Sequence, residues 1–526
     1  MSLESPEVSL TELARLLEQF FSEHPRAALL EDGRVLFEMG SAHYSISTGH
    51  GRCVLHLWSE ERNMVRTVVG LEARKETLRI RVRRLGMQRP QSLEVVRDRD
   101  QRTPATRALA RTRYLRLLER LLTRNFNDYK IEGLRSAMDL EHSFGPAYAR
   151  GLLVRGQQCW ALIGVNAGES QAIIDGVLTL GILWLAYCRE HSAGKRVCHG
   201  LKVLLPAGCG STARARMAWL NRELAQWELY EVAEGSEDLE GIDTADQGNL
   251  KMRLVHAFNP VAAMERAQEG VDSILRLLPP AMQSRVTVTA RSANEVTLSL
   301  YGLEFARVRH GFAPGSFARQ AEVTFGAGAN ETPLQQDTEA GFEDLMQRLF
   351  ESRDPGGSAR NPLFRMQPEA WLQSTLAGDL SQIDDSLGGQ MIYQQVPAFA
   401  AADRAMLDLL TVTRGGRLAI LELKADEDLH FPMQALDYWI RVHWLQQQRN
   451  AAGEGTLEQN GYFPGILLQP NSPLLYYIVP ALHVHPSMDT VLRHLSPAIP
   501  WKLVALNEGW RTERKVIFRK HGGAST

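Results

Sequence analysis

Three residues toward the end of the chain have the types and spacing of a metal-dependent hydrolytic site: Asp408, Glu422 and Lys424. Glu422 and Lys424 lie two positions apart in an apolar run, so in a strand they share one face. Arg414-Gly415-Gly416 is a turn signal between the strand-like runs 407–413 and 417–424. A three-residue hairpin loop with Gly416 left-handed closes on Thr413 and Arg417. That register sets Asp408 opposite Glu422, with Cβ atoms roughly 4.5–5.5 Å apart and Lys424 on the same face. A two-residue loop on Gly415-Gly416 would instead put the two carboxylates on opposite faces. Like charges facing each other across a ladder destabilise a sheet unless something binds them. Mg²⁺ (or Mn²⁺) suits such hard oxygens, taking one or two carboxylates and keeping several waters. A cation held there can lower the pKa of a bound water and neutralise charge on a phosphoryl oxygen. Lys424, beside that water, can orient or deprotonate it, or stabilise charge developing on phosphorus.

The elements that must position these groups are two adjacent strands and the helix after them. In that helix Gln434 and Tyr438 are four residues apart and share a face. Asp408, then Glu422-Leu423-Lys424, then this helix, resembles the PD-(D/E)xK phosphodiesterase superfamily, which includes restriction endonucleases, RecB-type exonucleases and junction resolvases. Gln434-Ala435-Leu436-Asp437-Tyr438 resembles the Gln-x-x-x-Tyr helix of the RecB-type branch. The resemblance covers residues 363 to 521, and the proline that names the first motif is absent, Met406-Leu407 preceding Asp408. It implies a restriction-endonuclease-like mixed sheet. It also implies a metal held by Asp408, Glu422 and the Leu423 carbonyl, a lysine serving the attacking water, and Gln434 and Tyr438 bracing substrate or lysine. Glu369, in PEAWLQSTL, sits where the superfamily often carries a first-helix acid that reaches the metal through water. Each has a plainer reading. Glu-x-Lys also describes a strand tip, Gln434 and Tyr438 also fit an ordinary first helical turn, and an acid after Pro368 favours the helix macrodipole anyway.

The frame around these residues occurs twice. Residues 150–167 align without a gap on 408–425 at an offset of 258. Each copy continues with a helix opening Gln-Ala (Gln171-Ala172, Gln434-Ala435), a strand closing Pro-Ala (Pro206-Ala207, Pro480-Ala481), and a Trp-x-Leu strand from Trp227 or Trp501. The ungapped alignment sets Arg150, Gly164 and Asn166 against Asp408, Glu422 and Lys424, so the first copy lacks the ligands. Asp175 falls in the place of Tyr438. Helices near 9–22 and 261–278 each lead into short alternating segments, extending the duplication. The expected fold is therefore α/β, built of α+β modules in tandem duplication: 1–103 a helix and β-rich module, 104–232 a degenerate nuclease-like domain, 233–362 an acidic linker with a second helix and β-rich module, and 363–526 the nuclease domain.

Bulk properties leave this reading open. A chain of 526 residues with 44% apolar and 23% charged residues is of globular composition, and it exceeds one core. Its net charge of −2 hides one skewed stretch, residues 79–124, with fourteen arginines against four acidic residues. Arg79, Arg81 and Arg83 alternate as on a strand face, and Arg113, Arg116 and Arg120 recur at helical spacing, a pattern that can follow a phosphate backbone. The competing reading pairs these arginines with the acidic stretch 231–248. Five unpaired cysteines and an N-terminus without a signal-peptide pattern point to the cytoplasm. Ser9-Leu10-Thr11-Glu12 reads as a capping box. The apolar run 172–188, interrupted by Asp175, reads as a buried helix and not a membrane span. His483 and His485 have no further ligands at zinc spacing, AGCGST (207–212) lacks the P-loop lysine, and FGAGA (325–329) is not a dinucleotide fingerprint. The expected function is a Mg²⁺-dependent nuclease acting on DNA, in repair or in defence against foreign DNA. The alternative is a nucleic-acid-binding or scaffold protein whose two nuclease-like modules are both inert.

Overall fold

The computed structural model describes residues 10–523 apart from 26, 32–33, 41, 50–51, 59–62, 74–76, 84–90, 97–103, 140–142, 193, 246–251, 255–256, 313–318, 329–331, 401–402 and 450–454. Ser9 of the expected capping box, and parts of the arginine-rich stretch, lie outside these residues. The chain is a mixed α+β protein of several modules gathered in two compact units, one of residues 1–103 and 258–371, the other of 104–257 and 372–526.

The first unit contains two helix-plus-meander modules. In the first, helix Leu10–Glu23 lays Leu13, Leu17 and Phe21, each four residues apart, on Leu55, Leu57, Ile80 and Leu93 of a seven-stranded antiparallel sheet. In the second, Asn259 caps helix Pro260–Arg276 by accepting from the Val261 and Ala262 N–H groups. That helix sets Val271 and Ile274 against Val296, Leu298 and Val308 of a five-stranded meander running from Val286 to Pro333.

The second unit contains two copies of one sheet. Strands Lys130–Arg135, Tyr148–Arg155, Gln158–Val165, Val197–Pro206, Gln226–Ala233 and Asp238–Ile242 lie side by side in chain order. Their junctions run antiparallel, antiparallel, parallel, parallel, antiparallel. Tyr393–Ala400, Asp403–Val412, Leu418–Leu423, Leu474–Pro480, Trp501–Leu506 and Val516–Gly522 repeat that order and those directions, with Met252–Leu254 added at the edge. Helices Gln171–Ser192 and Phe431–Gln447 are the crossovers that the first parallel junctions require. The helix Gln171–Ser192 is long and apolar enough to cross a membrane, longer than the run read from sequence, and it is largely buried in this unit through Ile174, Val177, Leu178 and Leu185.

Two details differ from the sequence reading. The acidic stretch expected as a linker begins inside the sheet: Asp238–Ile242 pairs with the strand Gln226–Ala233. The ungapped alignment also slips by one residue after the hairpin. The first copy turns on two residues, Gly156 (φ 60°) and Gln157, whereas the second turns on three. Ile163 faces Arg150 and lies beside Val203, as Glu422 lies beside Tyr477. Arg150 therefore keeps the place of Asp408, but Ile163 and Val165, not Gly164 and Asn166, take the places of Glu422 and Lys424.

Candidate active site

The second-copy hairpin has the register that a three-residue loop dictates. Thr413 N–H donates to the Arg417 carbonyl at 2.8 Å, and Gly416 N–H donates to the Thr413 carbonyl at 2.8 Å. Gly416 has a φ of 84°, the left-handed value that favours glycine. Val412 pairs with Leu418, Thr411 with Ala419, Leu410 with Ile420 and Leu409 with Leu421, so the next pair is Asp408 and Glu422. There the backbone ladder gives way to side chains. Asp408 N–H donates to Glu422 Oε1 at 3.4 Å, and Leu423 N–H donates to Asp408 Oδ2 at 3.0 Å.

This placement raises both pKa values. Burial, then the charge of Asp408, pushes Glu422 well above the usual carboxylate range; the residue is 5% exposed. Burial also raises Asp408, opposed by the Leu423 N–H, the Glu422 carboxyl, the Lys424 charge and Gln395. Lys424 follows the strand, half-buried, its ammonium 3.7 Å from Asp428. Its charge favours the ionised form of both acids, which places it in their field. Tyr438, half-buried on the helix Phe431–Gln447, has its pKa raised by burial and then by the charges of Glu422 and Asp408. Gln434 is in the first turn of that helix, one turn before Tyr438, and is half-exposed.

Two groups the sequence reading missed complete the surroundings of Asp408. Gln395 donates its Nε2 to Asp408 Oδ1 at 3.2 Å and to Gln373 Oε1 at 2.7 Å. Gln373, 7% exposed, donates to the Asp408 carbonyl at 3.2 Å. Gln395 stands opposite Asp408 in an unbroken register, because Gln394 pairs with Leu409 and Val396 with Leu407, and its φ is 51°. A non-glycine residue held in this left-handed conformation is strained. Glu369, the expected first-helix acid, lies one turn before Gln373 in the helix Pro368–Leu376, on the part of it that belongs to the other unit. The helix thus brings Gln373 to Asp408 within this unit.

Among the described residues no group of three or more His, Cys, Asp and Glu side chains is arranged to hold a metal ion. The site offers two carboxylates. That fits Mg²⁺, whose shell is largely water, better than a structural zinc with four protein ligands. His483 lies 3.6 Å from Glu508 and His485 lies 3.7 Å from Glu427, so the two histidines face separate acids.

The arginines divide. Arg79 is ion-paired with Glu94 at 2.6 Å, and Arg120 pairs with Glu237 of the acidic stretch, near which Arg124 lies 3.9 Å from Asp238. Arg81, Arg83, Arg113 and Arg116 are exposed, the first two in one unit and the others in the second.

In the first copy the equivalent place is closed to a cation. Arg150, fully buried, has its guanidinium carbon 4.7 Å from the centre of the Phe144 ring and 5.8 Å from that of Trp184, and donates to the Ala137 carbonyl at 2.9 Å. Ile163 and Val165 are fully buried in the core. Gln171, in the place of Gln434, donates to Asp175, in the place of Tyr438, at 2.9 Å.

No protein-family model matches the chain, and no curated protein matches it. Among solved structures it is matched to a repair endonuclease from Pyrococcus abyssi, at 12% identity and a TM-score of 0.16, over 43% of this chain and 97% of that one. A TM-score that low assigns neither fold nor activity.

Proposed function

We propose that the protein is a nuclease that hydrolyses DNA phosphodiesters, using Mg²⁺ or Mn²⁺ held at Asp408 and Glu422. The observation that carries this reading is the facing pair of carboxylates at the end of the second-copy hairpin, with Lys424 in their field. Such a pair is destabilising in itself, and a divalent cation removes the repulsion. When bound, the cation lowers the pKa of a water and neutralises charge on a phosphoryl oxygen.

The chain's own groups do the rest. The Leu423 N–H and Gln395 hold Asp408, each on one carboxylate oxygen, leaving the remaining lone pairs for a cation. The resemblance adds the Leu423 carbonyl as a further oxygen ligand. Lys424, on the same face, orients the attacking water and balances charge on phosphorus in the transition state. Tyr438 and Gln434, one helical turn apart, brace the lysine or the substrate. The water oxygen bonds to phosphorus while the bond from phosphorus to one deoxyribose oxygen breaks, and that oxygen leaves protonated.

Asp408→Ala and Lys424→Ala are the test. Each is expected to reduce Mg²⁺-dependent cleavage by about 10²–10⁴-fold, the usual worth of a positioned acid–base group. Cleavage that persists in both variants refutes the assignment. The small ligand set favours one competitor, a nucleic-acid-binding protein without chemistry. That reading predicts DNA binding with no cleavage at any Mg²⁺ concentration.

A further inference from the structure

We infer that, if the nuclease reading holds, the protein cuts only one strand of a DNA duplex in each binding event and leaves a nick. The inference rests on how the two modules of the second unit meet. Leu220 and Leu495 form an antiparallel bridge; on either side of it Asn221 N–H donates to the His494 carbonyl and Ser496 N–H to the Trp219 carbonyl, both at 2.8 Å. Exchanging 219, 220 and 221 with 494, 495 and 496 turns one of these bonds into the other. Leu220 and Leu495 therefore mark a local two-fold axis.

The helices obey the same exchange. Ser211–Met217 of the first module packs on Phe431–Gln447 of the second, and Met488–Arg493 of the second packs on Gln171–Ser192 of the first. Arg216 fixes the contact with a bidentate ion pair to Asp437, both bonds 2.8 Å, and Trp219 meets Trp439 edge-on at 4.7 Å between ring centres. One continuous hydrophobic core runs through both modules. This is the architecture of a symmetric dimer written in a single chain.

A duplex also has a two-fold axis between its antiparallel strands, and a two-fold protein aligned with it presents one equivalent surface to each strand. Two competent copies would address both strands. Here the copies are not equivalent. The positions of Asp408, Glu422 and Lys424 are filled in the first module by a buried arginine and two core aliphatics. Arg150 repels a divalent cation, and Ile163 and Val165 offer it no donor atom. One water is therefore added across one phosphodiester, on the strand facing the second module, and the opposite strand stays intact.

Supercoiled plasmid is incubated with limiting full-length protein and Mg²⁺, and Mn²⁺ binding is followed in parallel by electron paramagnetic resonance without DNA. Open circles are expected as the first product, with linear DNA absent until most supercoiled molecules are consumed. The double variant Asp408→Asn, Glu422→Gln is expected to lose all tight Mn²⁺ binding. Linear DNA appearing as fast as supercoiled DNA disappears overturns the inference, as does Mn²⁺ still bound tightly by the double variant. Cleavage confined to single-stranded DNA overturns it too, while leaving the nuclease reading in place. Absence of any Mg²⁺-dependent cleavage overturns that reading, and the inference with it.

Discussion

Glu422→Gln should make the metal-free protein more stable at neutral and alkaline pH while removing its response to Mg²⁺. Burial and the neighbouring Asp408 raise the Glu422 pKa in the folded state, whereas an unfolded chain restores the ordinary glutamate value near 4.5. Between those two values the folded protein holds a proton that the unfolded chain has released. Stability is therefore highest below the ordinary value and falls as pH rises through the folded-state value. The slope for one proton is about 1.4 kcal/mol per pH unit. Glutamine does not titrate, so the variant lacks this slope, and the stability difference between the two proteins widens with pH by that amount until Glu422 ionises. A cation that binds only the folded wild type restores about 2.7 kcal/mol at one hundred times its dissociation constant. Native-state amide exchange of the strand Leu418–Leu423 reports the opening of this unit, and comparing the two proteins at each pH cancels the intrinsic exchange rate. Equal pH slopes in EDTA, or equal protection by Mg²⁺ in both proteins, would refute the electrostatic account of the pair.

Four further outcomes are expected. Gln395→Ala should weaken Mg²⁺ binding about 10–100-fold, as loss of a group orienting a ligand does, with cleavage recovering at high Mg²⁺; titration calorimetry and rates across Mg²⁺ concentrations check both. Arg216→Ala leaves Asp437 without its buried partner and should cost about 3–5 kcal/mol in urea unfolding, whereas adding Asp437→Ala should cost little more. Replacing Arg113 and Arg116 by alanine should weaken DNA binding and flatten its salt dependence by about 0.9 in log–log slope for each phosphate that no longer meets an arginine. An unchanged slope would assign those arginines to a solvated face. Alanine at Arg81 and Arg83 tests the other unit in the same way; Arg79, already paired with Glu94, should contribute less.

The hairpin was legible because its loop encodes its own register. Arg414-Gly415-Gly416 admits a left-handed glycine at the third position, and this alone sets Asp408 against Glu422. The order of landmarks likewise revealed two copies of one sheet. The first copy was read one residue out of step because a two-residue loop replaces a three-residue one, and low identity gives no signal for so small a gap. Gln395 could not be found from sequence. Its contact with Asp408 goes with a left-handed backbone inside a strand, and nothing in Tyr393-Gln394-Gln395-Val396 distinguishes such a glutamine from a regular strand residue. The acidic stretch was mistaken for a linker because its Glu and Asp residues imitate loop composition. In the fold Asp238–Ile242 is the edge strand of the sheet, and Glu237 and Asp238 approach Arg120 and Arg124.

The unit carrying the candidate site is interrupted in sequence by residues 258–371 of the other unit. During synthesis Leu220 leaves the ribosome 275 residues ahead of Leu495, a delay of roughly 15–55 s at ordinary elongation rates. Throughout that interval the first module exposes the apolar face around Trp219 that later meets Trp439. The pairing that makes a dimer of one chain thus also makes its first half wait for its second. Slow elongation before the final strands, or expression of the first module alone, should yield aggregated protein.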